Sequence, residues 1–404
     1  MKLLLIGGTG VISSAVTDEA LRNNIEVTMI NRGNRKIPNG VKLIKADKSD
    51  YNEISQFLKE KEFDAVCDFL CYTPKEIKQS FNFYKSYCKQ YIFISSCAVY
   101  DTRKSAVCNE DSPKVLDMWS YSVEKWASEQ LLDKISQDSD VRITVVRPCV
   151  TYGDTRVPYG ITPPYGYHWT LCERILNGKP LLKWNNGENK CNMMRVEDFA
   201  VAFIGLLGNS KAFGESFNIC GDETPSFNDV LDCVSQYLNK EIKTINISSE
   251  FYAKHLPSRA GEILGGRSIN AINSNDKVKK LVPSFHQNIA IKDGIFKTLD
   301  AYKNNNYQKG MSYSFDGECD RIIYKWCKKN NIDMSNMNLK FIDYLGTATK
   351  RDKIIYFIER YKENLFIIVF LFIRRCISKL MRSFMLIKKH FSKNNKIFGN
   401  GINV

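Results

Sequence analysis

The sequence predicts an α/β protein: a doubly wound parallel sheet, a smaller C-terminal lobe and a helical basic tail. Three observations predict it. Short apolar runs alternate with helical stretches from the first residues onward. A glycine-rich turn follows the first apolar run at once. The chain carries a net charge of +14 over 404 residues, and from Lys350 onward 13 Lys/Arg stand against 3 Asp/Glu, so most of the basicity belongs to the end of the chain.

The elements follow in order. "KLLLI" is a continuous apolar run, as in a strand buried on both faces. It stops at Ile6 before glycines, so "MKLLLIGGTG" reads as strand and turn, not as a leader. "GGTGVISSAVTDEALRNN" turns and becomes helical. "EVTMI" is a second strand, closed by "NRGN". "FDAVCDFL", "KQYIFISS" and "VRITVVRP" are the third, fourth and fifth, and the helical "SVEKWASEQLLDKI" separates the last two. "RVPYGITPPYGYHW" is rich in Pro, Gly and aromatics and suits a binding loop. "RVEDFAVAFIGLLGN" is a helix, and "ESFNICG" is a strand returning to the sheet. Residues 302 to 312 are polar and read as a linker.

Composition is that of a globular chain, 44% hydrophobic and 25% charged. The 13 Cys show no zinc-type pairing; Cys67 and Cys71 form a CxxxC. They read as reduced thiols of a cytoplasmic protein, and no metal site is expected.

"GGTGVIS" places Gly7 and Gly10 between a strand and a helix. There glycines let the backbone approach a pyrophosphate and aim a helix N-terminus at it. The third position is Ser13, small enough for close packing. The alternative is a structural turn. The second strand ends in Asn31, followed by Arg32, with Arg35 and Lys36 near. An amide does not repel a ribose 2′-phosphate and Arg can clasp one, which favours NADP over NAD. The alternative is a solvated basic turn. Asp47 lies where a side chain reaches an adenine, or where it caps the next helix.

"YIFISSCAVY" ends a strand with two serines, where such sheets line their ligand crevice. In "WSYSVEK", Tyr121 and Lys125 lie one helical turn apart. A phenol is a poor base near neutral pH, but a neighbouring ammonium and a cationic cofactor ring lower its pKa, and a serine hydroxyl steadies the substrate oxygen.

With these motifs in order, "GGTGVIS", "ISSCAVY", "YSVEK", "VRPCVTYGD", "RVEDFA", "GESFNICGDE" and "NDKVKKLVP", the chain over about residues 1 to 300 resembles the extended short-chain dehydrogenase/reductase superfamily, in its NAD-dependent epimerase/dehydratase group. The resemblance implies a Rossmann-type domain over 1–154, with 194–222 returning to it. It implies a substrate-binding lobe from 155–193 and 223–301, then a linker and helical extension over 302–349 and the tail over 350–404. It implies a catalytic triad of Ser96, Tyr121 and Lys125. Gly7, Thr9, Gly10, Val11, Ile12, Asn31, Arg32, Asp47, Tyr121, Lys125 and Pro148 would hold NADP or NAD. The substrate would be a sugar nucleotide or related polyol, met by Tyr72, Ser96, Thr151, Tyr152, Trp169 and Arg195, with Tyr165, His168 and Arg174 in the same segments. Family dehydratases carry Asp and Glu just after the triad Ser/Thr; here Cys97 and Ala98 stand there. That leaves simple hydride chemistry, epimerisation or reduction. Arg195 replaces a usual His, either to bind a phosphate or to pair with Glu197 or Asp198. The competing reading is a non-catalytic relative that binds a nucleotide, RNA or a membrane.

The tail, "NLFIIVFLFIRRCISKLMRSFMLIKKHFSK", has an uninterrupted apolar run only from Leu365 to Ile373, about 14 Å as a helix against the ~30 Å of a bilayer core. It cannot span. Arg374, Arg375, Lys379 and Arg382 fall at helical spacing opposite Ile377, Leu380, Met381, Phe384 and Met385. This is the pattern of a basic amphipathic helix lying on an anionic membrane surface over 364–396, peripheral on its inner face. The alternative is a helix packed on its own domain or on a second copy in a homodimer. No aromatic-interleaved RNA motif accompanies it, so nucleic acid is the least favoured partner.

Overall fold

In the computed structural model, residues 1–59, 62–114, 117–306 and 310–339 are described. The tail expected to meet a membrane lies outside them. Met1–Ser312 with Ile322–Asn338 form one unit, and Tyr313–Arg321 belongs to a second.

Seven strands form the central sheet: β1 (Lys2–Ile6), β2 (Glu26–Asn31), β3 (Lys42–Lys45), β4 (Phe63–Asp68), β5 (Cys88–Ile94), β6 (Arg142–Pro148) and, later in the chain, Glu215–Ile219. The last of these pairs with β6, and the order across the sheet continues β5, β4, β1, β2, β3. Every pairing in it is parallel. Six of these strands were expected. The seventh, β3, is a four-residue edge strand with exposed lysines, too short and too polar to announce itself.

Apolar side chains cover both faces of the sheet. Leu3, Leu5, Val27 and Ala65 pack on α1 (Val11–Arg22) and on the helix Val196–Leu206, through Val16, Ala20, Phe199 and Phe203. Leu4, Ile6, Val66 and Phe93 pack on the other side with α2 (Tyr51–Leu58), α3 (Pro74–Tyr84) and α4 (Ser120–Ser136), through Ile54, Phe81 and Leu132. The strand order reverses between β1 and β4. The two loops leaving their carboxyl ends therefore diverge, and a crevice opens there.

The lobe is built from smaller pieces. Two short parallel pairs lie outside the central sheet: Val150–Tyr152 with Met193–Arg195, within the part expected to belong to the Rossmann domain except for Met193, and Leu181–Lys183 with Thr244–Asn246, within the expected lobe. The helix Ile291–Asn304 runs past the expected linker start at residue 302. Tyr302 holds its last turn, donating from its hydroxyl to the Thr155 carbonyl at 2.7 Å and packing on Trp169. Among the described residues no helix is long and apolar enough to cross a membrane.

One charged pair is sealed inside the sheet's edge. Arg147 Nη2 lies 2.6 Å from Glu129 Oε2, and the two side chains are 4% and 5% exposed. Removing one partner strands the other charge in a medium that cannot solvate it. We expect Arg147→Met to cost about 3–5 kcal/mol of stability in denaturant unfolding, and Glu129→Gln in the same chain to restore part of it. Equal stability of Arg147→Met and wild type would show the pair to be neutral.

Candidate active site

β5 delivers the serine. The chain leaves Ile94, and Ser96 caps the short turn Cys97–Val99, its Oγ accepting from the Ala98 N–H at 3.1 Å. α4 presents a buried stripe that includes Ser122, Lys125 and Glu129, which presses Lys125 onto the sheet. Tyr121 precedes it by one turn and faces the crevice.

Lys125 is 2% exposed. Its ammonium donates to the Cys71 and Ile94 carbonyls, both at 2.7 Å. Burial pushes its pKa down to about 8, opposed by Cys71, Asp68 and Glu76. Its Nζ also lies 4.9 Å from the ring centre of Tyr72 and 6.0 Å from that of Tyr121. Burial raises the phenol of Tyr121, while the Ser96 hydroxyl and the charges of Arg156 and Arg267 pull it down. Tyr121 is therefore a protonated donor when no cationic ring faces it.

The glycine loop fits a dinucleotide. Gly7 has φ +83°, and a Cβ there would strike the Leu70 side chain at 2.6 Å. Ser13 ties the loop, accepting from the Gly10 N–H at 2.7 Å and donating to the Gly7 carbonyl at 2.8 Å. No acid lies in the first turn of α1, which begins with Val11 and Ile12, so its positive end is open to a phosphate. Thr9, Asn31, Arg32 and Asp47 line the adjoining cleft of about 510 Å³. Asn31 accepts from the Gly33 N–H at 2.7 Å. Asp47 accepts from the Ser49 N–H and hydroxyl, and the cap of α2 is Asp50 instead. Arg35 reaches back to the Thr9 carbonyl.

A second cavity, of about 680 Å³, contains Ser96, Tyr121 and Pro148. The sequence reading missed its two most polar residues, Arg156 and Arg267. Burial and the charge of Arg267 push Arg156 down to about 10. Its Nε is buried without a hydrogen-bond partner. Arg267 pairs with Glu262 at 3.3 Å. His168 lines the same cavity, and burial together with Arg156 holds it down at about 4, hence neutral. Cys97 and Ala98 stand beside Ser96. The Cys97 thiol is raised well above its usual value by burial and donates to the Arg147 carbonyl.

Other expected substrate residues are placed elsewhere. Tyr72 lines the cofactor-side cleft. Thr151 is buried, its hydroxyl turned to the Cys149 carbonyl at 3.4 Å. Tyr152 is fully buried beneath the lobe. Trp169 donates to Glu173 at 3.1 Å and packs on Tyr302. Arg174 is buried and donates to the Pro180 carbonyl. Arg195 resolves its two alternatives toward pairing: its guanidinium meets Glu197 at 2.7 and 2.9 Å, Asp154 at 2.7 Å and Thr298 at 2.9 Å. Asp198 instead accepts from the Ile289 N–H.

A parallel sheet with a glycine loop beside its switch point, and Ser, Tyr and Lys at its carboxyl edge, defines the extended short-chain dehydrogenase/reductase class. Within it, the chain belongs to the NAD dependent epimerase/dehydratase family, whose model matches residues 3–220. It is similar to the chloroplast stem-loop binding protein of 41 kDa b of Arabidopsis thaliana, at 28% identity over 244 residues, 56% of this chain and 60% of that protein. It is also similar to an uncharacterized UDP-glucose epimerase of Bacillus subtilis, at 22% identity over 54% of this chain and 61% of the relative. The chain thus matches about three fifths of the length of these two relatives. Among solved structures, the UDP-glucose 4-epimerase of Thermotoga maritima with UDP-glucose superposes with a TM-score of 0.61 at 17% identity, covering 76% of this chain and all of that one. The UDP-glucuronic acid 4-epimerase of Bacillus cereus, with UDP-glucuronic acid and NAD, gives 0.60 at 20% identity, covering 75% and 99%.

The Arg195 cluster predicts an acid-sensitive element. Burial alone would raise Glu197, but hydrogen bonds from Arg195 and Lys297 outweigh it and hold the carboxyl at about 2, against an ordinary 4.5. A depressed carboxyl stabilises the fold above its unfolded pKa, and that contribution is lost as pH falls. The unfolding midpoint should therefore drop between pH 4.5 and about 2. Glu197→Gln should flatten that part of the profile; an identical slope would remove Glu197 from the account.

Proposed function

We propose that this chain is an NAD(P)-dependent epimerase or reductase of a sugar nucleotide. The observation that carries the reading is one cavity holding Ser96, Tyr121 and the partner-poor Arg156, with Lys125 buried one turn below the tyrosine. Bound NAD or NADP would accept a hydride from a carbinol carbon and return it to the resulting ketone. Gly7, Gly10 and the start of α1 would hold its pyrophosphate, and Asn31 and Arg32 its ribose. Tyr121 takes the proton of the reacting hydroxyl as the carbon is oxidised and gives it back on reduction. Lys125 supplies the positive charge that favours the phenolate, and Ser96 steadies the oxygen. Arg156 and Arg267 would meet a diphosphate, since two guanidiniums in one cavity with a single carboxylate beside them favour an anion. Cys97 and Ala98 offer no further acid or base next to Ser96, which supports hydride chemistry alone.

The test is turnover of a panel of UDP-hexoses with NAD and with NADP(H). Conversion to an epimer without net cofactor consumption marks an epimerase, and consumption of reduced cofactor marks a reductase. Tyr121→Phe keeps the ring and loses the proton; turnover should fall about 10²-fold or more while cofactor binding persists. Unchanged turnover would exclude Tyr121 from the chemistry. A second reading, an RNA-binding protein, is favoured by the similarity to the stem-loop binding protein. A stem-loop RNA retained at physiological salt, by a protein inert towards every sugar nucleotide, would replace the first reading with the second.

Cofactor choice gives another prediction. Arg32 lines the cofactor cleft and is exposed. Arg32→Asp exchanges a phosphate-pairing cation for a repelling anion, so NADP affinity should fall while NAD affinity holds or improves. A constant ratio of the two affinities would make Arg32 a surface residue.

A further inference from the structure

The catalytic helix begins in an unusual way. α4 has no side-chain cap; its N-cap residue is Trp119. The preceding Met118 holds φ +68°, a strained value for a residue with a side chain. Arg103 pins this corner from one side, meeting Asp117 at 3.1 Å and Asp101 at 2.6 Å. From the other side comes the lobe segment Ala260–Arg267, whose last turn, Ile263–Arg267, has π-type bonding of the kind that gathers at functional sites.

That segment is glycine-rich where it meets the tryptophan. A Cβ on Gly261 would lie 2.6 Å from the Met118 carbonyl oxygen, one on Gly265 3.1 Å from Trp119 Cβ, and one on Gly266 2.9 Å from Trp119 Cζ3. Trp119 thus fills a slot in which a Cβ on Gly261 would meet backbone and one on Gly266 would crowd the indole. Its ring also packs on that of Tyr121, centres 5.1 Å apart. The same segment ends in Arg267, and the lobe fixes it there: the Trp184 indole donates to the Arg267 carbonyl at 2.8 Å, and the Asn185 and Asn189 amides donate to that of Ser268.

We propose that Trp119 is a positioning residue, and that its glycine slot couples anion binding at Arg267 to the placement of the Tyr121 hydroxyl. The inference rests on the reading above, in which Arg267 meets a diphosphate. A substrate diphosphate that settles the Arg267 segment settles Trp119, and with it the first turn of α4. Tyr121 then has its reacting geometry only when the correct anion is in place.

The test is a bump-and-hole set in the full chain: wild type, Gly266→Ala, Trp119→Phe, and the double variant. Phe lacks the Cζ3 carbon that the added methyl would strike. Gly266→Ala should lower kcat with UDP-glucose by about tenfold or more, in keeping with the cost of ångström-scale misplacement. NADH binding, read by its fluorescence, should not change. UDP affinity should fall, and the acid–base limb assigned to Tyr121 should shift. The double variant should recover the kcat and UDP affinity of Trp119→Phe. Wild-type kcat in Gly266→Ala, measured below its unfolding midpoint, would overturn the proposal, as would a double variant no better than Gly266→Ala. If the wild type turns over no UDP-hexose, the functional reading fails by itself. The slot is then judged on UDP affinity alone: loss in Gly266→Ala with recovery in the double variant upholds it, and no loss overturns it.

Discussion

The site hangs on one buried ammonium. Lys125 Nζ lies between the carbonyls of Ile94, at the end of β5, and Cys71, in the loop after β4. A charge so enclosed is held only if nearly all its donors are used, so the two contacts fix α4 in rotation and in height. The Cys71 loop is itself fixed by Asp68. That carboxylate accepts from the Leu70 N–H at 2.8 Å, the Ser80 hydroxyl at 2.7 Å and the Cys71 thiol at 3.1 Å. From Asp68 to Lys125 the chain of bonds ties the loop after β4 to α4 and the end of β5, on the β4 side of the switch point. It sets Tyr121 above the crevice and Ser96 beside it.

What was legible in the sequence was local. The glycine loop, six of the seven strands of the sheet and "YSVEK" each announce themselves within a few residues, because each must satisfy backbone geometry or burial by itself. β3 did not, since an edge strand with lysines on its open side carries no apolar signal. Tyr152, Trp169 and Arg195 lie in segments flanking the site, and their chemistry suits a ligand. Yet Arg195 is 1% exposed, enclosed by Glu197, Asp154 and Thr298. Sequence spacing cannot say which way a side chain turns once its neighbours arrive from distant positions. Arg156 and Arg267 show the converse: Arg156 opens the stretch read as a binding loop but carries no pattern of its own, Arg267 lies in no quoted motif, and they come to one cavity from more than a hundred residues apart.

One contact between the linings of the two cavities is exposed. The Arg35 guanidinium, bonded to the Thr9 carbonyl in the glycine loop, lies 4.7 Å from the ring centre of Tyr165, which lines the substrate cavity. A cation on an aromatic face at an exposed position contributes little, about 0.5–1 kcal/mol. It is therefore a contact that a ligand can displace, unlike the Lys125 tie.

The chemistry open to the cavity follows from what surrounds Ser96. A second proton-transfer step would need a group of intermediate pKa near the reacting carbon. Cys97 is pushed far up by burial and spends its thiol on a carbonyl, and Ala98 has nothing to ionise. His168 is the remaining titratable imidazole there, but burial and the charge of Arg156 hold it at about 4, where it is too weak a base to remove a carbon-bound proton. An anion bound at Arg156 would cancel part of that charge and raise His168. Even so, the desolvation that leads its shift would persist, so the imidazole would remain a hydrogen-bonding group rather than a base. Of the groups that line the cavity, Glu262 is tied to Arg267 and the Tyr100 hydroxyl to Arg147 and Asn218, whereas Tyr121 lies beside Ser96 with the Lys125 ammonium 6.0 Å from its ring centre.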